Sequence, residues 1–168
     1  MEQNQNDQRD KLWELIKDIK FGMLTTRHGD GHLHSRPMTT QNTRLDTEGA
    51  LWLFMSRQSD SAADLQASPA VCMSYADTGD DSYVCVSGTA VVSNDAAKKQ
   101  ALWSPMAKAW FPGGVDDPDL LLVCLDIEHA DYWDVKESKI VQLWRMAAAA
   151  VTGEPVLDLG ERGRVEVR

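Results

Sequence analysis

The feature that most constrains this chain is a series of short strand-like runs that are separated by turn residues and never alternate regularly with long helices. Residues 21–26 (Phe-Gly-Met-Leu-Thr-Thr) are rich in β-formers. His28–Gly29–Asp30–Gly31 then supplies residues tolerant of positive φ, so 33–41 is expected to return antiparallel. A third strand is expected over 50–56, after the polar turn Asp46–Thr47–Glu48–Gly49. Residues 71–75 form a short run, and 82–92 the longest, with Gly88 marking a bulge. Runs at 120–127 and 130–135 bring the total to six or seven strands.

Helical patterns are few. Leu12, Trp13, Leu15, Ile16 and Ile19 recur with amphipathic spacing over 7–19. Residues 59–67 read as a short helix stopped by Pro69, and Asn94 is placed to cap another over 95–103. Pro105, Pro112, Gly113, Gly114 and Pro118 break the chain into a loop with one helical turn. Residues 139–151 look helical, and the charged, glycine-rich tail 153–168 is expected to be mobile. The pattern implies an α+β, mainly β, barrel with short flanking helices, one unit over 1–152 followed by the tail. A dinucleotide-binding fold is disfavoured, because no glycine-rich turn links a strand to a long helix.

Charge and composition narrow the function. At 168 residues with 43% hydrophobic content, the chain can bury a core without disulfides or metals. A net charge of −9 repels polyanions, which argues against nucleic acid as a partner. No stretch approaches the roughly 20 apolar residues that cross a bilayer, and residues 1–11 are polar, unlike a secretory signal. Cys72, Cys85 and Cys124 are odd in number and set among apolar neighbours. They read as buried free thiols in a reducing compartment, which makes the cytoplasm the expected location.

Chemical motifs are weaker. His28, His32 and His34 are close in sequence, as zinc ligands often are, but no cysteine or acidic ligand stands at conventional spacing, so no metal is expected. Ser35, Arg36, Asp131 and Asp134 suit acid–base or nucleophilic work, yet nothing in sequence brings a base to a nucleophile, and no catalytic residue is assigned. Trp103, Trp110, Phe111, Tyr132 and Trp133 cluster late in the chain. Such rings serve first as core or interface anchors, and second as surfaces for a planar ligand.

Three segments together carry a family resemblance. They are His34–Ser35–Arg36–Pro37–Met38–Thr39, then Leu51–Trp52–Leu53–Phe54–Met55–Ser56, and last a spaced set. That set comprises Trp103–Ser104–Pro105, Trp110–Phe111–Pro112–Gly113–Gly114, Asp116–Asp117–Pro118 and Tyr132–Trp133–Asp134. In order and spacing, over about residues 7–168, the chain resembles the general stress protein branch of the FMN-binding split β-barrels related to pyridoxamine phosphate oxidase. The resemblance implies FMN at two equivalent sites across a homodimer interface. Arg36, Pro37, Met38, Thr39 and Gln41 would lie along the flavin on the second strand, with Phe54, Met55 and Ser56 on the third.

The phosphate end departs from that family. Its basic pair at the start of the short helix is replaced by Asp60 and Ser61. Ser59, Ser61 and helix amides would then bind the phosphate, with Arg36 and Arg57 as the nearest cations. Tyr83 matches a glutamine of the oxidases, and Lys108, Trp110 and Trp133 would line the ring or a second-substrate pocket. The expected consequence is weaker or altered FMN affinity, with room for FAD. The C-terminal end lacks the oxidases' closing substrate-binding segment, so that particular activity is not expected. The resemblance implies a flavin-binding stress-response protein with modest oxidoreductase activity, reduced by a nicotinamide cofactor, in which the flavin does the electron chemistry. The alternatives are a non-enzymatic flavin carrier, an interaction protein in stress signalling, or a barrel turned to haem or a deazaflavin.

Overall fold

The computed structural model describes residues 2–19, 21–45, 49–134, 146 and 161–166. Within them the strands are β1 (Gly22–Arg27), β2 (Leu33–Met38), β3 (Ala50–Ser56), β4 (Ala70–Asp77), β5 (Ser82–Ser93), β6 (Leu120–Asp134) and β7 (Glu161–Glu166). The helices are α1 (Glu2–Ile16), α2 (Asp60–Ala67) and α3 (Ala96–Leu102), and two 3-10 turns cover Pro105–Ala109 and Gly114–Asp116. The strands form one antiparallel sheet in the order β2-β1-β4-β5-β6-β3, with β7 added to β6. This is the expected α+β, mainly β, architecture.

β5 and β6 organise the sheet. β6 pairs with β3 from Leu120 to Asp126 and with β7 from His129 to Asp134, while β5 runs along its other edge. The two strands expected at 120–127 and 130–135 are therefore one. The register shifts between Ser87 and Gly88, and a Cβ at position 88 would lie 1.9 Å from the Asp126 carbonyl oxygen. Glycine lets the backbones close at the bulge, so β6 bends there and continues.

The two ends of the sheet meet without a continuous ladder. Thr40 bridges Leu53, and the Gln41 N–H donates to the Trp52 carbonyl at 2.8 Å. The Asn42 side chain completes the seam, donating to the Ala50 carbonyl (2.9 Å) and accepting from the Trp52 N–H (2.7 Å). The Tyr75 hydroxyl lies 2.6 Å from Thr40 Oγ1, and burial pushes its pKa up to about 12. The barrel is split, and side chains complete its closure.

Leu24, Leu51, Leu53, Met73, Val86 and Leu125 fill the interior. A second cluster, including Trp52, Phe54, Phe111 and Leu122, covers the outside of β3 and β6. β3 is buried on both faces, which is why it reads as an unbroken apolar run. Leu12 and Ile16, one turn apart, dock α1. α1 starts earlier and stops sooner than the expected 7–19. Asp95 caps α3, not Asn94, because its carboxylate accepts from the Lys98 N–H at 2.8 Å. The tail also needs correction: residues 161–166 form β7, with Arg164 Nε 2.8 Å from Asp131 Oδ1. The helix expected over 139–151 lies outside the described residues except for helical Met146.

α2 is fixed to the β1–β2 hairpin by a polar network. Ser59 caps it, its hydroxyl accepting from the Ala62 N–H, and Ser61, Ala62, Asp64 and Leu65 face inward. Asp64 is only 2% exposed. Its Oδ2 accepts from Thr26 Oγ1 (2.6 Å) and lies 3.9 Å from an Arg36 guanidinium nitrogen, while Oδ1 lies 2.8 Å from His28 Nδ1. The Thr26 hydrogen bond, with His28 and Arg36, outweighs burial and holds the Asp64 carboxyl below its ordinary pKa. Asp64 in turn raises His28, chiefly through their hydrogen bond.

Two predictions follow from this framework. Gly88→Ala is expected to lower stability by about 1–3 kcal/mol in urea denaturation, through forced separation of β5 and β6. The lowered Asp64 pKa contributes stability that is present above the unfolded carboxyl value of roughly 3.9 and lost as pH falls through the folded value. The raised His28 pKa contributes stability that is complete below roughly 6.5 and lost as pH rises through its folded value. Urea melts should thus show a plateau between about pH 4 and 6.5. Asp64→Asn should flatten both limbs and cost about 1–3 kcal/mol; identical pH profiles for the two proteins would contradict this account.

Candidate functional site

Strand alternation sorts the candidate residues of β2. His34, Arg36 and Met38 are half-buried on one face, and Leu33, Ser35 and Pro37 are exposed on the other. Pro37 lacks an N–H and sits on a strand at the end of the sheet path, where a missing donor is tolerated. Met38 packs against the interior core, and Met55 on β3 is buried within it. Their side chains fill the barrel, so what these positions offer a ligand is backbone. Gln41 donates its side-chain amide to the Thr39 carbonyl at 3.1 Å while its own N–H is bonded to β3. The 39–41 segment is thus held rigidly at the seam.

The inward end of β2 meets α2. Arg36 Nε and Ser61 Oγ are both buried without a hydrogen-bond partner. Ser61 is 1% exposed and stands one helical turn before Asp64 on the same face, whereas Asp60 is exposed. The alternation along α2 therefore turns the acidic residue outward and the hydroxyl inward. Ser59 is committed to capping, since its hydroxyl also donates to the Ser56 carbonyl at 2.7 Å. Arg57 reaches the Pro118 carbonyl at 3.1 Å from the exposed β3–α2 turn. Arg36 stands at the β2–α2 junction, with one guanidinium nitrogen 3.9 Å from Asp64 Oδ2.

The other candidates lie elsewhere in the chain. Tyr83 and Trp133 are register partners on β5 and β6, on the outward face of the sheet. With Phe21, Met23, Ser74 and Cys85 they line a depression of about 310 Å³. Cys72 and Cys85 are half-buried on that face, not fully buried, with sulfurs 3.2 Å apart, and burial pushes the Cys85 thiol up to about 11. Lys108 and Trp110 belong to the Pro105–Ala109 turn and its cap, where Trp110 is 80% exposed. Phe54 is held beneath this region, with its ring 5.9 Å from that of Trp103. Within one chain these residues make three separate surfaces.

Sequence reasoning missed Asp64 and Thr26, and with them the convergence of His28 and His34. The signal available was an aspartate on the inward face of a short helix, beside Ala62 and Leu65. A carboxylate at such a position requires partners. Their identity depends on the tertiary approach of the hairpin.

Known proteins resemble this chain along most of its length. Residues 7–157 match the family described as pyridoxamine 5'-phosphate oxidase like. General stress protein 26 of Bacillus subtilis is 33% identical over 131 residues, spanning 76% of this chain and 88% of that protein. A general stress protein 26 from Jannaschia sp. superposes with a TM-score of 0.73 at 28% identity, covering 96% of this chain and 99% of the other. A general stress FMN/FAD binding protein from Xanthomonas citri superposes with a TM-score of 0.66 at 31% identity, covering 80% and 92%. Among the described residues no helix is long and apolar enough to cross a membrane. A split sheet of this topology, matched at these levels, places the chain in the pyridoxamine 5'-phosphate oxidase like family, alongside the general stress proteins of the 26 type.

Proposed function

We propose that this protein is a cytoplasmic, homodimeric flavoprotein of the stress response that binds FMN, with FAD as the alternative cofactor. The observation that carries the reading is the pair of orphaned polar atoms, Arg36 Nε and Ser61 Oγ, at the β2–α2 junction. A phosphate monoester presents only acceptor oxygens at neutral pH, and both groups are donors. The residues present therefore fit the phosphate end of a flavin nucleotide. The FMN/FAD binding of the Xanthomonas citri relative supports the same reading.

When bound, the flavin would supply reversible electron transfer, with a nicotinamide cofactor as the reductant. Arg36 would hold the phosphate by a charge-assisted hydrogen bond while its other nitrogen stays near Asp64. The backbone at 36–41 would meet the ring edge, together with Phe54, Met55 and Ser56 on β3. The homodimer would form through the outward sheet face, where the exposed Phe21, Met23, Tyr83 and Trp133 line one depression. A patch of this kind is characteristic of an interaction site. Dimerisation would bring a partner's Tyr83 and Trp133 face into a shared site.

Adding FMN to the apoprotein should change the flavin absorption and quench its fluorescence. Arg36→Ala should weaken FMN binding ten- to a hundredfold, as loss of roughly 1.5–3 kcal/mol implies, with an unchanged circular dichroism spectrum. Anaerobic NADPH should bleach the bound flavin if the protein is an oxidoreductase; bound flavin that stays oxidised identifies a carrier. Tyr83→Glu combined with Trp133→Glu should convert the dimer to a monomer in sedimentation experiments. No spectral response to excess FMN or FAD would overturn the proposal.

A further inference from the structure

We infer that His28, His34 and Asp64 form a binding site for a divalent transition-metal ion of the zinc type, independent of any flavin. The three residues come from three elements: the start of the β1–β2 turn, β2 itself, and α2. Each offers one ligand atom, and these atoms all lie within 4.8 Å of one another. The two imidazoles stack with centroids 4.9 Å apart and an interplanar angle of 13°. Two half-buried histidines thus stand side by side over one buried carboxylate.

The division of labour at Asp64 favours a cation at one oxygen. Thr26 and Arg36 both approach Oδ2, whereas Oδ1 faces His28 Nδ1 at 2.8 Å. A metal at Oδ1 would replace the proton shared with His28 and leave the Thr26 hydrogen bond intact. That bond becomes the outer contact that orients the ligating carboxylate. Arg36 adds unfavourable positive charge, but from the far oxygen. Asp30 and Asp60 act in the opposite sense, since both lie close enough to His28 to favour positive charge there.

The donor set of two imidazoles and a carboxylate, without thiolate, suits Zn²⁺ and the ions that follow its preferences. Ligand bonds of about 2.0–2.2 Å in a tetrahedral arrangement need ligand atoms about 3.4 Å apart. The longest separation, up to 4.8 Å, must therefore shrink by about an ångström, the 2.8 Å His28–Asp64 pair must open, and the nearly parallel rings must tilt so that their lone pairs converge. Both histidines are only half-buried, so rotation of the rings suffices while the carboxylate stays fixed. Their exposure leaves a fourth position to water, the arrangement of an open rather than a structural zinc site.

The test uses the full chain, free of any histidine tag and stripped with a chelator, titrated with Co²⁺ alone. The expected result is a visible ligand-field spectrum that saturates at one ion per chain and is displaced by Zn²⁺. His34→Ala should abolish that spectrum, and His32→Ala should leave it unchanged. Thr26→Val should weaken binding about ten- to a hundredfold, as loss of an outer contact does. Circular dichroism of each variant reports whether it is folded. A wild-type chain giving no saturable Co²⁺ spectrum would overturn the inference, as would a folded His34→Ala variant that keeps the full signal. Flavin binding by the metal-free protein leaves this outcome untouched, so the two readings fail separately.

Discussion

The buried carboxylate of Asp64 is the interaction on which the candidate site depends. α2 is only eight residues long, too short to hold itself in place by propensity. Leu65 and Ala62 give it an apolar foothold, but Thr26, His28 and Arg36 give it a direction. A carboxylate taken out of water demands these partners, and each comes from the β1–β2 hairpin. The same contacts therefore fix the distance between β2 and the helix. That distance sets where Arg36 and Ser61 stand relative to each other.

The sheet positions the hairpin by a different means. β6 runs through the middle of the fold, and its bend at the Gly88 bulge turns one strand into the partner of both β3 and β7. β3, paired with β6 on one edge, meets Thr40, Gln41 and Asn42 on the other. The seam uses one bridge and a few side-chain bonds, so the end of β2 retains backbone that is not committed to a ladder. A fully closed barrel would have consumed it. The split is thus the structural reason that the β2 end can serve as a binding edge.

Much of this was legible from the residues. Strand identity followed from β-branched and aromatic runs, and β3 was located to the residue because burial on both faces leaves no polar interruption. Gly88 was readable as a bulge because a glycine inside a long β run has few other uses. The continuity of β6 was not readable, since Glu128 and His129 look like a polar break until the bulge across from them is known. β7 was missed because alternating charges such as Arg162 and Arg164 resemble a solvated tail, and Arg164 finds Asp131 on a strand far away in sequence. At the site, the β2 motif was visible through its resemblance to a family. Asp64 was not, because its side-chain partners Thr26, His28 and Arg36 all come from the distant β1–β2 hairpin.

The charge arrangement at the β2–α2 junction bears on both proposed ligands, an anion and a cation. Arg36 and His28 stand beside the Asp64 carboxylate, and Asp60 lies exposed at the start of the helix, so groups of both signs meet at the junction. Under the proposed reading, Nε of Arg36 and the Ser61 hydroxyl, buried donors without a hydrogen-bond partner, would hold the phosphate by direct contact. Binding by aim rather than by net charge is weaker at long range and more selective at contact. The proposed cation would sit on the other side of the same carboxylate, where Oδ1 faces His28 and His34 stands nearby. On these two proposals, the oxygens of Asp64 divide between an arginine side and a histidine side, so a single buried charge would serve both.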